Sequence, residues 1–139
     1  MSFVEKDGKV TLTVPNELKM ICGNMDISIN NILFEKAAVL WDTGATDTVI
    51  SEELLDKIPE AKLDFSTMTT IGGPVFNYFF EGNIKLCGVE LKNLRIVIKD
   101  GLKKEQKLDV VLGMDIIQHG KMIIDGTKKE KSFEFSFKK

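Results

Sequence analysis

Residues 39–50 read VLWDTGATDTVI, and the interpretation of the whole chain depends on this stretch. An apolar run ends at Asp42, and apolar residues resume at Val49. Because burying an unpaired charge is very costly, a carboxylate at the end of a buried strand needs hydrogen bonds or a charged partner. Gly44 lets the backbone turn sharply and approach another group closely. The pattern predicts a strand that runs into a loop in which Asp42 is held in place.

Two interpretations of Asp42 are open from this loop alone. Neighbouring N–H groups and the hydroxyls of Thr43 and Thr46 lie within local reach of its carboxylate. A catalytic acid is held by hydrogen bonds in this way. The same residues also suit an Asx-type turn at a strand end, which has no catalytic role. The choice between them depends on the rest of the chain.

The composition is that of an ordinary globular protein. Of 139 residues, 43% are apolar and 29% are charged, which fits one domain spanning residues 1–139. No apolar run reaches the length of a membrane span, and the charged first ten residues lack the apolar core of a signal peptide. We therefore expect a cytoplasmic protein without membrane contact. The net charge of −2 disfavours nucleic acid as a partner, because phosphate binding favours a basic face.

The cysteines and the histidine offer no recognisable metal site. Cys22 and Cys87 are isolated, and His119 is the only histidine, so no zinc-ligand spacing exists. We expect neither a metal nor a cofactor. In a reducing compartment, two free thiols are favoured over a disulfide. A Cys–His nucleophile pair is a further alternative.

Strand patterns dominate the chain, and two short helices are predicted among them. The helices are 51–58, capped by Ser51 and ended by Pro59, and 113–119, stopped by Gly120. The lysine-rich residues 100–107 are interpreted as a solvated loop. Alternating or apolar runs predict strands at residues 9–14, 25–30, 32–41, 67–80, 83–86, 89–98, 107–112, 121–125 and 132–137, with turns at Asn30-Asn31, Gly82, Gly88, Asp100-Gly101 and Asp125-Gly126.

A second motif decides between the two interpretations of Asp42. Residues 38–51 read AVLWDTGATDTVIS, and this segment resembles the active-site segment of aspartic peptidases. Residues 110–117, VVLGMDII, are similar to the second signature of those enzymes, and the glycine-bearing TTIGGPVF lies between the two. This order resembles the retropepsin-like family of retroviral proteases and their single-domain bacterial relatives. The likeness covers roughly residues 22–137.

The resemblance implies a fold and a set of site residues. The fold would be mainly β, a retropepsin-like closed β-barrel that corresponds to half of an acid protease, with two short helices and a flap hairpin. Asp42 would be the catalytic carboxylate, and the Thr46 hydroxyl would bond its outer oxygen. The supporting residues would be Thr43, Gly44, Ala45, Thr46, Val111, Leu112 and Gly113, and the substrate flap would be Ile71, Gly72, Gly73 and Pro74.

Two positions depart from the pattern of that family. Trp41 stands where a smaller aliphatic residue or Phe is usual, and we expect it to reshape the floor of the cleft. Pro74 adds a proline to the flap, and we expect it to stiffen the tip, which we place at Gly72-Gly73.

The chemistry of these peptidases requires two carboxylates. One takes a proton from water while the other gives a proton to the scissile carbonyl, and two carboxylates about 3 Å apart share one proton. The chain has a single Asp-Thr-Gly, so we expect a homodimer that cleaves polypeptides with one Asp42 from each subunit. The strands at 9–14 and 132–137 are either edges that pair across this dimer or ordinary strands within one subunit. The alternative function is a non-catalytic dimer that binds extended peptides or protein partners.

Overall fold

A computed structural model of the chain describes residues 1–15 and 17–137, with the backbone alone at 66, 68–70, 75 and 76. The described residues are mainly β, as predicted, and the helices are short. The strands are β1 (Val4–Lys6), β2 (Lys9–Val14), β3 (Ile21–Ile29), β4 (Ile32–Trp41), β5 (Val49–Ser51), β6 (Asp64–Thr70), β7 (Gly73–Leu86), β8 (Val89–Lys99), β9 (Val110–Leu112), β10 (Gly120–Asp125) and β11 (Lys131–Phe137). The helices are α1 (Glu52–Leu55), α2 (Leu102–Gln106) and α3 (Met114–Ile117). None of these helices is long and apolar enough to cross a membrane.

The strands form two sheets. The larger has the order β3-β4-β9-β5-β8-β7-β6, and β3 also pairs with β7, so this sheet curves back on itself in a barrel-like manner. The smaller has the order β1-β2-β11-β10. β9 runs parallel to β4 and antiparallel to β5, so it lies between the strands that lead into and out of the Asp42 loop.

Local turn chemistry explains the β3–β4 hairpin. Asn30 and Asn31 have positive φ angles of 50° and 65°, and Ile29 pairs with Ile32 across them. Asparagine tolerates this left-handed region, which a two-residue hairpin turn requires. The predicted turn at Asn30-Asn31 is confirmed.

An aromatic cluster joins the two sheets. The Trp41 ring lies 5.3 Å from that of Phe133 and 4.7 Å from that of Phe135, measured between centroids, and Phe3 packs against its edge. All four rings are buried. The expectation that Trp41 reshapes the floor of the cleft is therefore wrong, because strand alternation turns its side chain into the core between the sheets.

The terminal strands pair within one subunit. β11 lies between β2 and β10, and β2 lies between β11 and the short β1, which pairs with Lys9–Thr11 of β2. β11 is therefore paired on both sides within one subunit, which favours the alternative of ordinary strands, and a pairing of residues 9–14 across a dimer stays a prediction. The alternating apolar residues of both strands are used within the chain, where Phe133 is opposite Leu12 and Phe135 is opposite Val10. The edges of this sheet are β1 and β10.

Two sequence-based assignments fail for tertiary reasons. Gly82 is not a turn but lies inside β7, where an added Cβ would approach the Phe80 ring to 2.7 Å and the Asn30 side-chain oxygen to 2.9 Å. The glycine serves close packing there rather than chain reversal. Residues 102–106 form the helix α2 instead of a loop, because Leu102 is buried and holds that turn against the core.

The two predicted helices exist but are shorter than expected. In α1, the Leu54 N–H donates to the Ser51 hydroxyl at 3.3 Å, so Ser51 is the predicted cap. The helix ends at Leu55, four residues before Pro59, with Asp56 as its C-cap. In the same way α3 ends at Ile117, before Gly120.

Candidate active site

The Asp42 loop begins where β4 meets β9. Trp41 pairs with Leu112, and the Asp42 N–H donates to the Leu112 carbonyl at 2.9 Å. Asp42 itself is half-buried. The backbone of Asp42, the first residue of the loop, is therefore held by Leu112 of the second signature.

The Asp42 carboxylate closes a local turn. Its Oδ1 accepts the Gly44 N–H at 2.8 Å, and its carbonyl accepts the Ala45 N–H at 3.2 Å. A Cβ on Gly44 would lie 3.2 Å from that Oδ1, so the glycine permits the close approach. This geometry fits both a held catalytic acid and a simple Asx turn. The hydrogen bond seen here comes from Gly44, so the role of the Thr46 hydroxyl stays a prediction.

The second signature, residues 110–117, packs closely against the Asp42 loop. Val111, Leu112 and Gly113 are buried. A Cβ on Gly113 would lie 2.8 Å from both the Ala45 and Asp47 carbonyl oxygens, which are backbone atoms that cannot rotate away. Only glycine allows the two segments to approach this closely. The structure brings the two sequence motifs into direct contact.

Sequence reasoning missed two residues of this site, Thr48 and Asp115. Thr48 is fully buried, and both its N–H and its hydroxyl donate to the Asp115 carboxylate, at 3.0 and 2.9 Å. Burial raises the pKa of the Asp115 carboxyl, and the hydrogen bonds from Thr48 partly oppose that shift. The available signal was an acid near the start of a predicted helix, two residues after the glycine of the second signature.

A second acid ties β4 to the segment before β9. Asp109 accepts the Ala38 N–H at 2.8 Å, and the Lys103 ammonium lies 3.1 Å from the same carboxylate. The Asp109 carbonyl also accepts the Ser51 N–H. These bonds fix the strand on which Asp42 is carried.

A cleft of about 610 Å³ adjoins the loop. Its apolar wall includes Val49 and Ile98, and the acids Glu52 and Asp100 lie in its lining. The Asp100 charge is the main cause that raises the pKa of the exposed Glu52 carboxyl. The full lining is Gly44, Ala45, Thr46, Asp47, Val49, Glu52, Asn77, Tyr78, Val97, Ile98, Lys99 and Asp100.

The hairpin of β6 and β7 carries the predicted flap. Thr70 pairs with Gly73, so the turn consists of Ile71 and Gly72, one residue earlier than expected, and Gly73 and Pro74 begin β7. Gly73 has φ of 109°, which favours glycine, and Ile71 is fully exposed. Residues Asn77 and Tyr78, further along β7, reach the cleft beside the Asp42 loop.

The cysteine alternative finds no support. Cys22 and Cys87 are both free thiols, as predicted. Burial raises the pKa of the Cys87 thiol to about 12 and also raises that of Cys22. A nucleophilic cysteine needs the opposite shift, toward the thiolate.

Comparison with known proteins identifies the family and the fold. The family model described as gag-polyprotein putative aspartyl protease matches residues 25–119, which include Asp42 and Gly113. No curated protein sequence matches the chain significantly. Among solved structures, a retropepsin-like aspartic protease from Rickettsia conorii is 17% identical with a TM-score of 0.52, over 99% of this chain and 98% of that one. EIAV protease complexed with the inhibitor HBY-793 is 22% identical with a TM-score of 0.52, over 76% and 92%.

Proposed function

The chain belongs to the gag-polyprotein putative aspartyl protease family and has a retropepsin-like fold, and on this premise we propose that it is an aspartic endopeptidase acting as a homodimer on polypeptides. The observation that carries the proposal is the Asp42 loop, which holds one carboxylate where the chemistry needs two. In a single subunit Thr43, Gly44 and Thr46 are exposed at the surface. A second copy of the same loop would cover them and supply the missing acid.

In this mechanism each subunit contributes the same group. One Asp42 carboxylate takes a proton from the attacking water, and the other Asp42, which carries the shared proton, donates it to the scissile carbonyl. The Gly44 N–H orients the carboxylate, Val111 to Gly113 support the loop, and the exposed Thr43 braces it against the partner loop. The Ile71–Pro74 flap covers the bound chain. The cytoplasmic location expected from the sequence belongs to the same proposal.

The direct test is cleavage of an unfolded protein mixture over a range of pH. We expect cleavage at mildly acidic pH that falls toward neutral pH, because the proton shared by two carboxylates is then lost. Binding of extended peptides without cleavage at any pH would support the non-catalytic alternative instead. An inhibitor that mimics the tetrahedral intermediate should block the cleavage.

We place the dimer contact at the β10 edge. β10 follows α3 in the chain, and the first N–H groups of α3 donate to the Ala45 and Thr46 carbonyls of the Asp42 loop. Among the described strands, none pairs with the outer edge of β10, and its residues Ile123 and Ile124 are exposed. An edge strand with exposed apolar residues is suited to pairing with another chain.

Ile124→Lys should weaken this dimer and its activity together. A lysine on an edge strand opposes pairing, and two copies would bring like charges together, so we expect the dissociation constant to rise about tenfold or more. Sedimentation at micromolar concentration and peptide cleavage measure the two effects. Val4→Lys is the matched control, since Val4 is exposed on β1 at the other edge. A strictly monomeric protein that still cleaves peptides through Asp42 would contradict the homodimer.

Ile71→Ala tests the flap. The side chain is fully exposed in the free subunit, so its loss should change the free energy of unfolding by no more than about 0.5 kcal/mol. If the flap closes on substrate, the lost apolar contact should lower kcat/KM about tenfold. Leu33→Ala is the control, because Leu33 is also exposed but lies at the far end of β4 from Asp42. Equal kinetics of the two variants would argue against a closing flap.

A further inference from the structure

The Asp42 loop is held from its far end by an acid on α3. Residues 42–48 join β4 to β5 without regular structure, so each of their buried N–H and C=O groups needs its own partner. The Ala45 and Thr46 carbonyls accept the N–H groups of Met114 and Asp115, at 2.8 and 3.2 Å. The start of α3 therefore satisfies the loop's backbone acceptors directly.

The Asp115 side chain completes the arrangement by satisfying the loop's donors. Its Oδ2 accepts the Thr48 N–H, and its Oδ1 accepts the Thr48 hydroxyl. Oδ1 also accepts the Ile116 N–H at 3.0 Å, which is a local bond at the start of the helix. A helix cap alone would use only that last bond. The other two bonds reach a fully buried residue 67 positions away in the chain.

We propose that Asp115 is a positioning residue of the active site, which fixes the Asp42 carboxylate through Thr48. At one end of the loop Leu112 holds the Asp42 backbone, and at the other end Asp115 holds Thr48. The Gly44 N–H that orients the carboxylate lies between these two anchors. Because the loop is short, movement at Thr48 is transmitted to Gly44. The inference rests on the proposed peptidase function.

The charges around Asp115 show how the carboxylate is held. Asp47, on the loop itself, carries a charge of the same sign and so opposes the ionised form of Asp115. In the described part of the chain, no cation pairs with Asp115. The hydrogen bonds from Thr48 and Ile116 therefore oppose the cost of its burial. An asparagine has the same shape and can accept the Thr48 N–H with its oxygen, while its amide donates to the Thr48 hydroxyl oxygen. It loses the bond from the Ile116 N–H, which also donates to the Gly113 carbonyl at 3.1 Å.

The test compares Asp115→Ala with Asp115→Asn in the full-length protein. For the alanine variant we expect kcat per folded dimer to fall about 10- to 100-fold with KM changed less than about threefold, because a misplaced catalytic group slows the chemical step. The pH profile of kcat should also shift, since the surroundings of Asp42 change. On a logarithmic scale, kcat of the asparagine variant should lie at least halfway from the value of the alanine variant to that of the wild type.

Hydrogen exchange of the loop amides separates this inference from the proposed function. In Asp115→Ala the amides of residues 43–48 should exchange at least tenfold faster than in Asp115→Asn, after correction for global stability. If the wild type cleaves peptides but the alanine variant keeps its kcat, pH profile and loop exchange, the inference is overturned and the function stands. If the wild type cleaves nothing, the function fails and the exchange comparison still decides whether Asp115 holds the loop.

Thr48→Val keeps the test decisive if Asp115→Ala does not fold. Valine preserves the shape of Thr48 and its N–H but removes the hydroxyl bond to Asp115. A smaller change in the same direction, in kcat and in loop exchange, is expected. Wild-type kcat, pH profile and loop exchange in Thr48→Val would overturn the inference.

Discussion

Replacing Asp42 with Asn should lower peptidase activity about 10²- to 10⁴-fold, the range that a positioned proton donor or acceptor contributes. Asparagine keeps the size of the side chain, and its amide oxygen can accept the Gly44 N–H that the carboxylate accepts at 2.8 Å. It cannot take a proton from water or give one to a carbonyl. We therefore expect the fold and the dimer to remain. Peptide cleavage, circular dichroism and sedimentation measure the three properties.

Asp26→Asn is the matched control for this substitution. Asp26 is exposed on β3, and like Asp42 its carboxylate accepts a backbone N–H, from Lys36 at 2.9 Å. Asp26 lies outside both the Asp42 loop and the lining of the adjoining cleft, so its loss should leave cleavage unchanged. If Asp42→Asn retains activity within about tenfold of the wild type, another group catalyses the reaction and the peptidase proposal loses its central residue.

Phe135→Ala should have the largest effect on stability, a loss of about 3–5 kcal/mol in the free energy of unfolding. Its ring is fully buried and packs between Trp41 and Phe137, with centroid distances of 4.7 and 5.0 Å. The alanine would leave a cavity where the two sheets meet. Urea unfolding measures the change.

Phe65→Ala provides the comparison for this loss. The Phe65 side chain is 62% exposed on β6, so removing it should cost much less than removing Phe135. Similar losses for the two variants would show that the aromatic cluster does not hold the sheets together. Since Trp41 immediately precedes Asp42, a loosened cluster should also reduce activity in the folded fraction of Phe135→Ala.

Local patterns predicted most of the strands and turns. Alternation at residues 9–14 predicted β2, and Asn30-Asn31 predicted the first hairpin, because strand period and positive-φ tolerance are properties of short segments. Errors arose where distant residues decide the structure. Gly82 looked like a turn, but it allows β7 to approach Asn30, and α2 depends on the burial of Leu102.

The sequence by itself determined the mainly β fold, the family and the candidate acid, since the motifs around Asp42 and Gly113 are contiguous. Only the tertiary structure decided how these motifs meet. In the folded chain β9 pairs with β4, and Gly113 packs against the Ala45 and Asp47 carbonyls. Thr48 is hydrogen-bonded to Asp115. These contacts join residues 65 or more positions apart, and their geometry depends on packing and backbone hydrogen bonding that no short segment specifies.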